Sequence, residues 1–495
     1  MKAAMRKILP FSVIAIALLV SCHNEAEKLN RLARNGEFSK VIQIIDLKLQ
    51  NKAYLSAREI KILEKILNDI QAVKREYTLS YDAVYMELKA KIPDLSEVEM
   101  NKWENDYSLE HYVIDGDKKY YSNCIFDLFL VNKEAAQRAK IPEKKDADAS
   151  KYPLETIDSF ENASVLSKQI SVGFSFFQDV GSLPDRSVLK AWIPYVLENR
   201  FQSNIRIARS SITDITLPKS DDLTSMIYFE KVIDKRNNLN TEWRDYFTKP
   251  SQGWIKPMKN PSSISDSTFI CQFIYEYESK GYYKKVGPGD IQPYKTSDQV
   301  YQRYTEETES NIFTPYLKRL SREIVGNETS DYLKAKRIYE WICKNVVWTD
   351  PKPVLGDPAE YTAKYRRGDC GAKSNLFISL CRINKIPARP QGGWRVQPDR
   401  DHVQHSWAQV YFEHHGWMPV DVTAGAHLIN HEDERVRYFY FGNCTPYHLI
   451  IYDDDEVLLP PKAYKLIYGG GAQLGAFEWR GGDIEPNIKI DSHVE

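Results

Sequence analysis

Arg366-Arg367-Gly368-Asp369-Cys370-Gly371-Ala372-Lys373-Ser374-Asn375-Leu376-Phe377-Ile378-Ser379-Leu380 begins as a glycine-containing turn and continues as a helix. Leu376, Phe377, Leu380 and Cys381 recur at helical spacing and supply a buried face, and Ile386-Pro387-Ala388 ends the element. Cys370 therefore falls at a helix N-terminus. The unsatisfied N–H groups and positive end of the macrodipole there favour thiolate over thiol, by about 0.3–1 kcal/mol or more when partly buried. Gly371 lets a carbonyl approach the backbone, and the Cys370 N–H can itself donate to an oxyanion. A buried structural role is nonetheless the commoner fate of a lone cysteine, so the reading needs partners.

Those partners lie downstream. Gln404-His405-Ser406-Trp407-Ala408-Gln409-Val410-Tyr411-Phe412 reads as a strand, Glu413-His414-His415-Gly416 as a turn, and Trp417-Met418-Pro419-Val420-Asp421-Val422-Thr423 as the return. With the turn centred on Glu413, His405 and Asp421 stand directly opposite each other; a bulge shifts this by a residue or more. Cross-strand neighbours lie about 4.5–5.5 Å apart at Cβ, close enough for a carboxylate and an imidazole to hydrogen-bond. The chemistry that follows makes Cys370 the nucleophile. His405 is its base and later the acid that protonates the leaving amine, and Asp421 is the orienting carboxylate. His402, His414 and His415 read as solvated loop residues.

Four motifs in this order, Gly368-Asp369-Cys370, Ile386-Pro387-Ala388-Arg389, His405-Ser406-Trp407 and Gly416-Trp417-Met418-Pro419-Val420-Asp421-Val422-Thr423, resemble the transglutaminase-like core. The resemblance covers roughly residues 330–430. It implies a papain-like α+β fold in which a helix-borne Cys meets a sheet-borne His and Asp. It gives Cys370, His405 and Asp421 the triad roles, with an acyl-thioester intermediate formed from a peptide or protein amide. Val422 replaces the proline that usually follows the aspartate. The family often adds an upstream donor to the oxyanion hole; Trp348 is the candidate here and Tyr361 the second. Trp394, Trp407 and Trp417 are candidates for cleft walls, with Trp407 and Trp417 favoured as core.

At 495 residues the chain is too long for one core. Its net charge of −1 and its 27% charged residues give no basic surplus that would point to nucleic acid. Lys2, Arg6 and Lys7 precede a short apolar run from Ile8 to Val20 that has the shape of a signal-peptide core rather than a membrane span. The run ends in Leu19-Val20-Ser21-Cys22, which is similar to a bacterial lipobox and makes Cys22 the lipidation site. Residues 1–21 are thus expected to be a lipoprotein signal peptide, and the mature protein to be lipid-anchored in the bacterial cell envelope. Of the seven cysteines none forms a CxxC pair, so a zinc-thiolate site is not expected, nor is another metal or a cofactor; no disulfide framework is implied, although one bridge is possible in an oxidising compartment.

Helical periodicity runs from Asn24 to about Lys140, giving a helical region over 22–150 whose protein partner the sequence does not identify. Alternating segments such as Ile170–Phe176, Ser225–Phe229 and Phe269–Tyr277 then predict a β-sandwich-like domain over 151–295. The remaining 296–495 is expected to be the transglutaminase-like domain, with a C-terminal β extension that completes it or packs on its flank. Asp453-Asp454-Asp455-Glu456 reads as a solvated turn, with calcium a weaker alternative. The expected molecule is multidomain α+β. Its expected function is hydrolysis of an amide bond by a peptidase or amidase. An amine-accepting transamidase and a catalytically silent binding module remain as alternatives.

Overall fold

The computed structural model describes residues 28–142, 148–219, 222–234, 265, 267–308, 310–455, 459, 471–480, 482–484 and 487–495. Cys22, the apolar run before it and Glu456 lie outside these residues. Among the described residues no helix is long and apolar enough to cross a membrane. The protein is a multidomain α+β molecule with five separate sheets among the described residues, and its chain divides into two compact units.

The first unit joins the described residues up to 142 with the later segment Val346–Asp369. Helices Phe38–Gln50, Ala57–Glu76, Tyr81–Lys91 and Glu97–Asn105 carry its apolar stripes inward, with Phe38, Val41, Ile70, Val84 and Leu88 fully enclosed. Ser56 with Glu59, and Ser96 with Glu99, form reciprocal capping boxes that start two of these helices. Alongside them is a small antiparallel sheet in which Tyr77–Leu79 and His111–Ile114 flank Asp117–Tyr121. The later segment contributes helix Pro358–Tyr365 and a two-residue parallel pairing of Val347–Trp348 with Arg367–Gly368.

A buried charge cluster holds this segment in place. Lys352 pairs with Glu110 at 3.0 Å and also with Asp127. The hydroxyls of Tyr77 and Tyr361 both donate to Glu110 Oε1. Arg367, fully enclosed, lies 3.8 Å from Glu110 and donates to the carbonyls of Tyr107 and Ser108. Burial pushes the Glu110 carboxyl up, but Lys352 and Arg367 outweigh it and hold the group below the ordinary glutamate range.

The second unit comprises Asp146–Asn345 and Cys370–Glu495. Its strands are β1 (Ser167–Asp179), β2 (Ser187–Pro194), β3 (Gln202–Ser210), β4 (Met226–Ile233) and β5 (Thr268–Lys280). They continue with β6 (Ala388–Arg395), β7 (Val403–Phe412), β8 (Gly416–Val420), β9 (His448–Tyr452), β10 (Ala476–Trp479), β11 (Gly482–Ile484) and β12 (Asn487–Val494). Two antiparallel four-stranded sheets, ordered β11-β10-β2-β4 and β12-β1-β5-β3, share one apolar core that includes Phe174, Phe176, Trp192, Phe229, Phe273 and Phe477. The last strands of the chain therefore pair with strands of the middle region. β12 runs beside β1 from Asn487 against Phe177 to Val494 against Ile170. Ile488 and Ile490 alternate along β12 and pack against the shared core.

A third sheet, ordered β8-β7-β6-β9, carries the chemistry-bearing residues. Helices α1 (Pro315–Val325), α2 (Asp331–Asn345), α3 (Cys370–Ile383) and α4 (Val422–Ala426) belong to the same unit. Gly393 on β6 is in register with His405 on β7, and a Cβ at Gly393 would overlap the Leu449 carbonyl on β9. Gly393→Ala is accordingly expected to destabilise the protein by about 3 kcal/mol, the upper end for overpacking, measured as a lowered urea midpoint.

The acidic run at the end of β9 is not a solvated turn. Asp453 and Asp454 are buried, and Arg389, Arg303 and Arg382 pair with Asp453, Asp454 and Asp455 at 2.8, 2.6 and 2.5 Å. Each carboxylate thus has a guanidinium, which is what lets a run of like charges be enclosed.

Candidate active site

Cys370 opens α3, and Leu376, Phe377, Leu380 and Cys381 on the inner face of that helix are fully buried. The helix is seated on β7 by its first turn. Ser374, one turn after Cys370, donates its hydroxyl to the Ser406 carbonyl at 3.2 Å, next to His405. None of the six described cysteines is in a disulfide, and Cys370 alone among them is only partly buried. Burial pushes the thiols of Cys124, Cys343 and Cys444 up to about 12 and raises Cys271 and Cys381 as well. These five are inert side chains at neutral pH.

The β7–β8 hairpin turns one residue later than expected. Phe412 pairs with Gly416 and Ala408 with Val420, so the turn centres on His414, which takes a φ of +64°. The position opposite Asp421 is then that of Trp407, and His405 is its diagonal neighbour two residues along the same face. Asp421 lies just past the end of β8, and its side chain bridges the diagonal: His405 Nε2 donates to Oδ2 at 2.7 Å.

The other carboxylate oxygen is also committed. Asp421 is the N-cap of α4, and Oδ1 accepts from the backbone N–H of Thr423 at 3.0 Å and of Ala424 at 2.8 Å. One oxygen anchors the carboxylate and the other aims it. Because a carboxylate only accepts, the imidazole proton sits on Nε2 and the Nδ1 lone pair is left for chemistry. Both groups are buried. Burial raises the Asp421 carboxyl, but His405 and His448 pull it well below the usual range. Burial also lowers the His405 pKa, against the upward pull of Asp421. The pair at neutral pH is therefore an aspartate and a neutral imidazole.

Three side chains absent from the sequence reading complete the surroundings. His448 on β9 places Nε2 3.6 Å from Asp421 Oδ2. Gln473 donates to the His405 carbonyl at 2.6 Å and to Ser406 Oγ at 3.0 Å, fixing the strand from its open side. Lys373, on the first turn of α3, is only 1% exposed. Burial lowers its pKa, and its titratable neighbours are Cys343, Asp421 and Cys370. A signal for Lys373 exists in the sequence, since it falls on the stripe of Leu376, Phe377 and Leu380 where an apolar residue belongs. Gln473 and His448 stand in short segments with no periodic pattern.

The tryptophans sort differently from expectation. Trp407 is buried, donates to Gln391 Oε1 at 2.6 Å and stacks on His405 with ring centroids 5.5 Å apart. Trp394 is core rather than cleft wall: it packs on Phe174 and donates to the Gln473 carbonyl. Trp417 is half-buried, under the Arg389 guanidinium at 4.3 Å from the ring. Trp348 belongs to the first unit, in register with Gly368 and 43% exposed. Tyr361 is buried there, its hydroxyl engaged by Glu110.

His405, Asp421 and His448 are the one group of side chains among the described residues able to hold a metal ion.

Residues 318–422 match the family model of the transglutaminase-like superfamily. Among solved structures the chain is similar to one described as "a Putative Cysteine Protease from Cytophaga hutchinsonii", at 16% identity, covering 67% of this chain and 90% of that one with a TM-score of 0.38. It is also similar to the periplasmic domain of TgpA from Pseudomonas aeruginosa, at 14% identity, covering 59% of this chain and 94% of that one with a TM-score of 0.27. No protein of curated function matches the chain.

Proposed function

From a transglutaminase-like core at residues 318–422, we propose a thiol peptidase or amidase in which Cys370 attacks an amide carbonyl of a peptide or protein. In this reading the protein works in the bacterial cell envelope, tethered by acyl chains on Cys22. The observation that carries the chemistry is the His405–Asp421 pair, 2.7 Å apart and buried, beside the helix that Cys370 opens.

His405 Nδ1 takes the Cys370 proton, and the thiolate forms a C–S bond to the carbonyl carbon. The oxygen that becomes negative is stabilised by the Cys370 N–H at the start of α3. Collapse of the adduct breaks the C–N bond, and the imidazolium returns its proton to the leaving amine. Water then attacks the thioester with His405 as base, releasing the acid and restoring the thiol. An amine in place of water would make the same acyl-enzyme a transamidase.

Alkylation kinetics test the reading. Iodoacetamide followed by peptide mass spectrometry should modify Cys370 at least about tenfold faster than any other cysteine of the described residues, with the advantage lost in His405→Ala. Equal rates at Cys370 and Cys381 would sink the proposal.

A further inference from the structure

The carboxylate that orients His405 faces a second imidazole for which the amide chemistry has no use. His448 Nε2 stands 3.6 Å from Asp421 Oδ2, the same oxygen that His405 Nε2 reaches at 2.7 Å. All the candidate ligand atoms of the three residues lie within 4.8 Å of one another, and all three side chains are buried. A separation of 3.6 Å is too long for a hydrogen bond. It is close to the spacing of two ligand atoms around a tetrahedral zinc ion, about 3.3 Å for bonds of about 2.0–2.1 Å.

The protons fit the same picture. His448 Nδ1 lies 3.4 Å from the Thr445 carbonyl oxygen and 3.4 Å from its hydroxyl. In the tautomer that donates from Nδ1 to this carbonyl, the Nε2 lone pair faces the Asp421 carboxylate. That lone pair and the carboxylate oxygen together offer two ligand atoms to a cation placed between them. The carboxylate is not free to turn away, because Oδ1 is held by Thr423 and Ala424. Trp407 braces both rings, with centroid distances of 5.5 Å to His405 and 4.9 Å to His448. An imidazole oriented through its second nitrogen is the usual support of a metal ligand.

We infer that His405, Asp421 and His448 form a binding site for a divalent cation of the zinc type, and that its occupation switches the thiol chemistry off. Two nitrogens and one carboxylate oxygen leave a fourth position open. The ion replaces the proton on His405 Nε2, which leaves to solvent, and it draws His405 and Asp421 away from Cys370. Lys373 and Arg395 are cationic neighbours of this cluster. They disfavour Ca²⁺ and Mg²⁺, which rely on charge and oxygen ligands, more than an ion that bonds to imidazole. The binding claim stands on the three side chains alone; the switch rests on the proposed thiol chemistry.

The test uses the purified full-length protein. In Cys370→Ala, where the thiol cannot contribute, Co²⁺ should bind at one equivalent with the visible absorption of a tetrahedral site, and Zn²⁺ should displace it while Mg²⁺ does not. His448→Gln should weaken Co²⁺ binding by at least about a hundredfold, and Thr445→Ala, a milder change that leaves all three ligands, by about tenfold. In the wild type, one equivalent of Zn²⁺ should slow alkylation of Cys370 by at least about tenfold, reversed by chelator. Binding that disappears in Cys370→Ala, or that both the His448 and Thr445 variants retain unchanged, overturns the site. Binding without slowing overturns the switch. Metal-free alkylation reports on the thiol chemistry separately, so failure there is distinguishable from failure of the site.

Discussion

Asp421→Asn should remain folded and lose about three to four orders of magnitude in turnover. Oδ1 caps α4 and Oδ2 holds His405, and an asparagine can keep only the first of these jobs. With its amide oxygen still accepting from Thr423 and Ala424, its NH₂ is aimed at His405 Nε2. Two donors then face each other, and the imidazole escapes by moving its proton to Nδ1. That removes the lone pair meant for the Cys370 proton. Stability should change little, because the cap survives. Asp421→Ala removes the cap as well, at a cost of about 1 kcal/mol, and orphans a buried N–H for about 1–3 kcal/mol more. A steady-state assay on a peptide substrate, paired with urea unfolding, separates the two variants; an Asn variant within about threefold of wild type would end the triad reading. The pH dependence has a definite sign. The folded-state pKa of Asp421 is depressed, so its stabilising contribution is complete above the unfolded value of about 3.9 and is lost as pH falls through the lower folded value.

Glu110→Ala should be the most damaging single change to stability, by about 3–5 kcal/mol, the range for removing one partner of a buried ion pair. Glu110 is 1% exposed and accepts from Tyr77, Tyr361 and Lys352, with Arg367 3.8 Å away. Removing it leaves two phenols without an acceptor, and Lys352 with Asp127 alone. Urea unfolding of the variant checks the figure, and a loss under about 1 kcal/mol would mean the cluster relaxes or admits water. Glu110→Gln is the informative companion, since it keeps an acceptor for the phenols and deletes only the charge.

The helix that Cys370 begins was legible because its buried stripe repeats at helical spacing, and the strands because His405 and Asp421 sit in alternating segments around an obvious turn. The register was not legible to the residue. It depends on His414 adopting a positive φ, a local choice that the polar tetrad 413–416 leaves open. Asp453, Asp454 and Asp455 were misjudged for a different reason: their arginines come from residues 303, 382 and 389, and no local pattern announces a distant counterion. His448 is invisible in the same way, since β9 reaches Asp421 only through the order of strands in the sheet. Strands β10 and β11 are short and lie among glycines, and nothing local in β12 names its partner, so the pairings with the middle region become apparent only once β1 and β2 are seen to have open edges.

Those partnerships say something about how the second unit holds together. β12 hydrogen-bonds along β1 and β10 along β2, so the residues between β5 and β10 that belong to this unit form a long excursion anchored at both ends in one pair of sheets. A single cut in an exposed loop of that excursion would leave two pieces still laced together by backbone ladders. A protease nick should therefore separate on a denaturing gel while the native particle keeps its size, and release of the fragments should wait on unfolding of the sandwich rather than on the cut.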